Sequence, residues 1–95
     1  MPEMRFHIRW PDGTAEACYS PSLVIRDFFA PGQSYALAEF LRRSRTALNI
    51  ASDRVEAKYG RACSLAAAQL TRIETVAKSF ADNPQARVTV EAFET

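Results

Sequence analysis

Apolar and polar residues alternate strictly through "EMRFHIRW". Met4, Phe6, Ile8 and Trp10 fall on one side; Glu3, Arg5, His7 and Arg9 fall on the other. A period of two is that of a half-buried strand. "PDG" follows, and its Asp-Gly pair tolerates the positive φ of a tight hairpin turn. "TAEACYS" is then the returning strand. With Asp12 and Gly13 as the two central turn residues, Trp10 faces Ala15, Ile8 faces Ala17 and Phe6 faces Tyr19 on the apolar side. On the polar side Arg9 meets Glu16 and His7 meets Cys18. Both faces support that register.

Pro21 interrupts the second strand. Leu23 to Phe29 is β-branched and aromatic, and reads as a short strand or a packed extended arm. "APGQS" is a turn. From Tyr35 to Tyr59 the period becomes helical. Leu37, Leu41, Ser44, Leu48, Ala51, Val55 and Tyr59 form a stripe flanked by Phe40 and Ala47. Ser34 fits an N-cap and Gly60 a helix stop. A second helix begins near Ser64, with Ala66, Leu70, Ile73, Ala77 and Phe80 on one face and Val76 beside them. Glu74 and Lys78 have the spacing of an ion pair, and "DNP" ends the helix. "ARVTVEAF" is a last strand with Val88, Val90 and Ala92 on one side. This order predicts an α+β fold in a single domain over residues 1–95. It is a two-layer sandwich: hairpin, two antiparallel helices and a C-terminal strand, with the helices on a small, mainly antiparallel sheet.

Composition narrows the functional classes. Of 95 residues, 47% are hydrophobic and 24% charged, ordinary for a soluble domain. Twelve basic side chains against eleven acidic leave a formal charge of +1, which gives no general attraction to nucleic acid or an anionic membrane. No apolar run is long enough to span a bilayer. The charged, alternating N-terminus has no signal-peptide core. The expected location is the cytoplasm, where Cys18 and Cys63 are free thiols.

His7, Cys18 and Cys63 are the candidate ligand-binding residues. As cross-strand neighbours, His7 and Cys18 could form a nucleophile pair, and Cys63 precedes a helix start that can lower a thiol pKa. A structural zinc site needs four ligands, often in close pairs, and neither requirement is met. The competing reading makes these residues small packed cysteines and a surface histidine. No metal or other cofactor is expected, and no catalytic residue is assigned. Arg42, Arg43 and Arg45 spread around the first helix among Glu39, Asp53 and Glu56. They read as a solvated face, not a nucleic-acid site. No glycine-rich phosphate loop accompanies them. Ile50 lies away from the main stripe and, with Arg5 and Arg9 on the open sheet face, is an interface candidate for self-association as a homodimer or other homo-oligomer.

"MPEMRFHIRWPDG", "ACYSPSLVI", "RSRTALNIASDRVEAKYG" and "CSLA" carry a resemblance to the small nitrogen-starvation-response proteins encoded in bacterial nitrilase gene clusters. It covers nearly the whole chain, with its segments in the same order. The resemblance implies an intracellular protein made when nitrogen is scarce. It also implies neighbours that include a nitrilase, a radical-SAM protein, an acetyltransferase-like protein and a flavoprotein, in clusters associated with nitrile or cyanide nitrogen use. It carries over no catalytic or ligand residues. The combined expectation is a non-catalytic accessory or regulatory protein that contacts another protein of its cluster. The alternative is a small-molecule binder or enzyme component using His7 and Cys18.

Overall fold

The structure, a computed structural model, describes residues 2–95. The alternating N-terminal segment forms β1, Met4–Arg9, and the returning segment forms β2, Ala15–Ser20. As expected, Met4, Phe6, Ile8 and Trp10 are buried. The pairing between the two strands differs from expectation by one residue. The loop holds three residues, Pro11 to Gly13, not two. The Gly13 N–H donates to the Trp10 carbonyl at 2.9 Å, and the Trp10 N–H donates to the Thr14 carbonyl at 2.8 Å. Gly13, at φ 89, occupies the left-handed bulge position of this loop type. Asp12 steadies the turn by accepting the Thr14 N–H at 2.9 Å.

A one-residue slip turns every side chain of a strand over. Phe6 therefore opposes Cys18, Ile8 opposes Glu16, and His7 opposes Ala17. Glu16, Cys18 and Ser20 face inward; Ala15, Ala17 and Tyr19 face out. The inward Glu16 is tolerated because it is hydrogen-bonded. It accepts from Trp10 Nε1 at 3.0 Å and from Arg72 at 3.2 and 3.3 Å. A buried indole needs such an acceptor, and this register supplies it. Space around Gly13 is open, so Gly13→Ala meets only backbone strain. It is expected to cost about 1–2 kcal/mol in urea unfolding, the penalty of a left-handed L-residue.

β4, Arg87–Glu94, pairs with the other side of β1. Ile8 opposes Val90 but His7 opposes Ala92, so the ladder carries a bulge at Glu91. The bulge reverses the alternation. Val88 and Val90 are buried, Glu91 and Ala92 are both exposed, and Phe93 returns to the core side. Ala92 thus leaves the side it was expected to share with the valines. Gln33–Ala36, expected as turn and helix start, is a fourth strand, β3, on the far edge. The sheet order is β2-β1-β4-β3, antiparallel throughout. Ser34 lies in β3 and caps no helix.

The segment after Pro21 is neither strand nor extended arm but a 3-10 turn, Leu23–Asp27. Ser22 caps it by accepting the Val24 N–H at 3.3 Å. Val24 and Ile25 are buried, so this arm is part of the core.

α1, Leu37–Tyr59, follows β3 directly, with Ala36 at its N-cap. Its first orphan donor, the Leu37 N–H, bonds the Ala86 carbonyl at 3.1 Å. Gly60 stops it at φ 81, its N–H returning to Glu56. Phe40, Ser44, Ala47, Leu48 and Ala51 are buried, while Val55 is half-buried and Tyr59 is exposed where the stripe runs past the sheet. α2, Ser64–Lys78, buries Ala66, Ile73 and Ala77. Its N-cap is Cys63, not Ser64. The Cys63 N–H donates to Ser52 Oγ at 3.3 Å, and Arg45 reaches Glu74 at 2.8 Å, so the helices run antiparallel. Glu74 pairs across the helices here, where Lys78 was the expected partner.

Both helices cover one face of the sheet. Between the layers sit Trp10 against Phe40 (5.7 Å, edge-on) and Phe80 (6.1 Å, stacked), with Phe29 against Phe40 (5.4 Å) and Phe6 (6.2 Å). Such pairs add about 0.5–1.5 kcal/mol each beyond their buried area.

Candidate functional site

The hairpin and the β4 bulge decide which side chains occupy the uncovered sheet face. Ala17, His7 and Ala92 form one row across three strands, and Tyr19, Arg5 and Glu94 form the next. His7 Nε2 bonds Glu94 Oε1 at 2.9 Å. Arg9 donates from Nε to Glu91 at 3.0 Å and from Nη1 to the Gly13 carbonyl at 2.6 Å. Its acidic partner comes from the bulge, not from Glu16 as expected. The result is a shallow, small-residue centre flanked by the Arg9–Glu91 ion pair and the His7–Glu94 hydrogen bond.

His7 and Cys18 are not neighbours. The corrected register places them on opposite faces of the sheet, His7 partly exposed and Cys18 fully buried beside Phe6. Burial, aided by the Glu16 carboxylate and opposed by Arg72, pushes the Cys18 thiol up to about 12. The thiolate is the reactive and metal-binding form, and this pocket suppresses it. Cys63 sits apart at the start of α2, half-buried. Among the described residues, no three His, Cys, Asp or Glu side chains converge as a metal site would require. In a thiol-labelling experiment on the folded protein, Cys63 is expected to react and Cys18 to stay protected until denaturant is added. Equal labelling of both without denaturant would contradict the inward Cys18.

Ile50 is half-buried and packs against the core. It shares a helix face with Arg43 and Arg54. Arg43 donates to the Phe28 carbonyl at 2.6 Å and Arg54 to Ser22 Oγ at 2.9 Å, both at the ends of the arm. The chain's own arm lies along the helix side on which a second buried face was expected. The arginine run is also occupied. Arg42 and Arg43 share Glu39, Arg43 lies over the Tyr35 ring at 5.1 Å, and Arg45 holds Glu74.

A groove of about 430 Å³ was not foreseen. It runs along the outer edge of β2, between Tyr19 with Arg5 and Glu3 on one side and Leu65, Ala68, Gln69 and Arg72 of α2 on the other. Gln69 accepts the Tyr19 N–H at 2.8 Å, and the Tyr19 hydroxyl donates to Glu3 at 3.1 Å. Burial, then that bond to Glu3, pushes the Tyr19 hydroxyl up to about 12. The available signal was a second α2 stripe, Leu65, Ala68, Gln69 and Arg72, at spacings of three and four. Leu65 is 62% exposed, so this stripe is not core.

The sequence pattern of the nitrogen starvation-induced protein NitG family matches residues 5–93, from β1 to β4. The chain belongs to the NitG family. No curated protein matches it, and no solved structure does. NitG membership relates the chain to nitrogen starvation, in line with the resemblance drawn from its quoted segments. No described helix is long and apolar enough to cross a membrane.

Proposed function

We propose that this NitG-family protein is a non-catalytic accessory or regulatory component of the nitrogen starvation response, acting in the cytoplasm by protein contact. Its partner on this reading is another protein of a nitrilase-type gene cluster. One observation carries the proposal: both helices cover the same face of the sheet and leave the other bare, with Ala17, Ala92 and the His7–Glu94 and Arg9–Glu91 pairs presented together. A face of small residues bounded by charges of both signs suits a complementary protein surface. The enzyme-component alternative loses support because the thiol it needs is buried and held protonated, on the opposite side of the sheet from His7. Nucleic-acid binding loses support because Arg42, Arg43 and Arg45 each already have an acidic partner.

The test is affinity capture from nitrogen-starved cells. A partner retained by the wild-type chain and lost with Ala92→Arg or Arg9→Glu is the expected result, provided circular dichroism shows both variants folded. Turnover of a nitrile or cyanide by the purified chain, abolished in His7→Ala or Cys18→Ala, would overturn it. In a binding titration at physiological salt, duplex DNA is expected to bind no tighter than about 10⁻⁶ M, the range of non-specific contacts.

A further inference from the structure

The two edges of the sheet differ. β3 is four residues long, and Arg87 covers it by donating to Ser34 Oγ and to the Ser34 carbonyl, each at 3.0 Å. β2 is longer and more open. In an antiparallel pair, alternate residues direct their backbone groups toward and away from the neighbour. The Trp10–Thr14 bond sets that phase. Glu16, Cys18 and Ser20 bond inward to β1, while Ala15, Ala17 and Tyr19 direct theirs outward. Gln69 takes the Tyr19 N–H. The outward groups of Ala15 and Ala17 have no hydrogen-bond partner among the described residues. No lysine, proline or bulge interrupts Ala15–Tyr19. Such an edge is a template for another strand. Beside it lies the groove with Leu65, one of two large hydrophobic side chains in the described chain that are exposed.

We propose that β2 pairs antiparallel with β2 of a second copy of this chain, about a two-fold axis at Ala17. The contact is self-complementary, as a two-fold interface requires. At the axis, the two Ala17 residues exchange both backbone bonds. Farther out, Ala15 of each copy and Tyr19 of the other exchange both backbone bonds, the Ala15 carbonyl taking the Tyr19 N–H in place of Gln69 Oε1. The axis stands perpendicular to the sheet, which places both α2 helices on the same side. Leu65 and Ala68 of each copy, which lie beyond Tyr19 while Arg72 stands beside Glu16 near the axis, then pack against the hairpin end of the other copy's β2, one such contact on either side of the axis. Nothing electrostatic opposes the approach. The groove carries Arg5 and Arg72 together with Glu3, Glu16 is already held by Arg72, and the whole chain carries only +1. The bare sheet faces join into one continuous surface of twice the width. The dimer does not depend on the accessory reading, and either can fail alone.

Sedimentation velocity of the full chain, from low-micromolar to sub-millimolar concentration, is expected to show a monomer–dimer equilibrium. Leu65→Glu is expected to give monomer at every concentration, with unchanged circular dichroism because the side chain is exposed. Amide exchange supplies the specific readout. The Ala15 and Ala17 amides are expected to exchange freely in dilute protein and become protected as it is concentrated, and Leu65→Glu removes that protection. Monomer throughout the range overturns the proposal. So does a dimer that survives Leu65→Glu with the Ala17 amide unprotected, since another surface would then be pairing. Capture of a partner by the monomeric Leu65→Glu chain would uphold the accessory reading separately.

Discussion

Phe6→Ala is expected to destabilise the protein by about 3–5 kcal/mol, the usual cost of truncating a fully buried aromatic. Phe6 is completely buried on the central strand β1, between Cys18 on β2 and Phe93 on β4. Its ring stacks with Phe29 at 6.2 Å, tying the sheet to the segment after the arm. A cavity there can collapse only by moving two strands and the arm together, which places the cost toward the upper end. Urea unfolding is the measurement, and the midpoint should fall with little change in slope. His7→Ala, one residue along and on the bare face, is the control. It removes a surface pair with Glu94 and is expected to cost no more than about 1 kcal/mol. Similar losses from the two variants would mean that β1 does not separate a core face from an open one.

That separation was legible because a period of two over "EMRFHIRW" admits one facing once a core exists. The helices were legible for the same kind of reason, and Gly60 ended α1 where its left-handed φ requires glycine. Three features escaped. β3 is four residues long, too short to show a period, and derives its identity from pairing with β4. The bulge at Glu91 reverses an alternation that "VTVEA" shows without interruption. The arm's apolar residues suit strand or packed coil equally, and Ser22 decides for a 3-10 turn only by the bond it makes.

The hairpin loop mattered most for function. Asp-Gly serves a two-residue turn and also a three-residue loop with glycine at the bulge. The apolar count on β2 favours the two-residue turn, because Ala15, Ala17 and Tyr19 occupy one phase and Glu16, Cys18 and Ser20 the other. What overturns that preference is Glu16. Facing inward, it accepts from both the Trp10 indole and Arg72, a residue far away in sequence. The proposed His7–Cys18 pair was a product of the two-residue turn, and it disappeared with that turn. The β2 groove could not be assembled from sequence for a related reason. It joins Tyr19 to α2 residues about fifty positions later, and only the packing of α2 on the β2 edge brings them together.

A pair of lysine substitutions tests the register directly and carries the larger contrast. Cys18→Lys is expected to cost more than about 4 kcal/mol, the range reserved for changes such as an unpaired buried charge. Ala17→Lys, the adjacent residue, is expected to stay within roughly 0.5 kcal/mol, because its side chain points to solvent. Both are measured in dilute solution, so that pairing of β2 edges does not contribute. With a two-residue turn the order would be reversed, since Ala17 would then face the core. The pH dependence gives a second check on Cys18→Lys. A lysine forced into that pocket has its folded-state pKa lowered by burial. Between that lowered value and the unfolded value of about 10.4, the unfolded chain binds more protons than the folded one, so stability rises with pH. The deficit of Cys18→Lys should therefore shrink as pH is raised from neutral toward 10.4, and that of Ala17→Lys should not change. A Cys18→Lys protein as stable as Ala17→Lys at neutral pH would reject the three-residue loop and the inward Cys18 together.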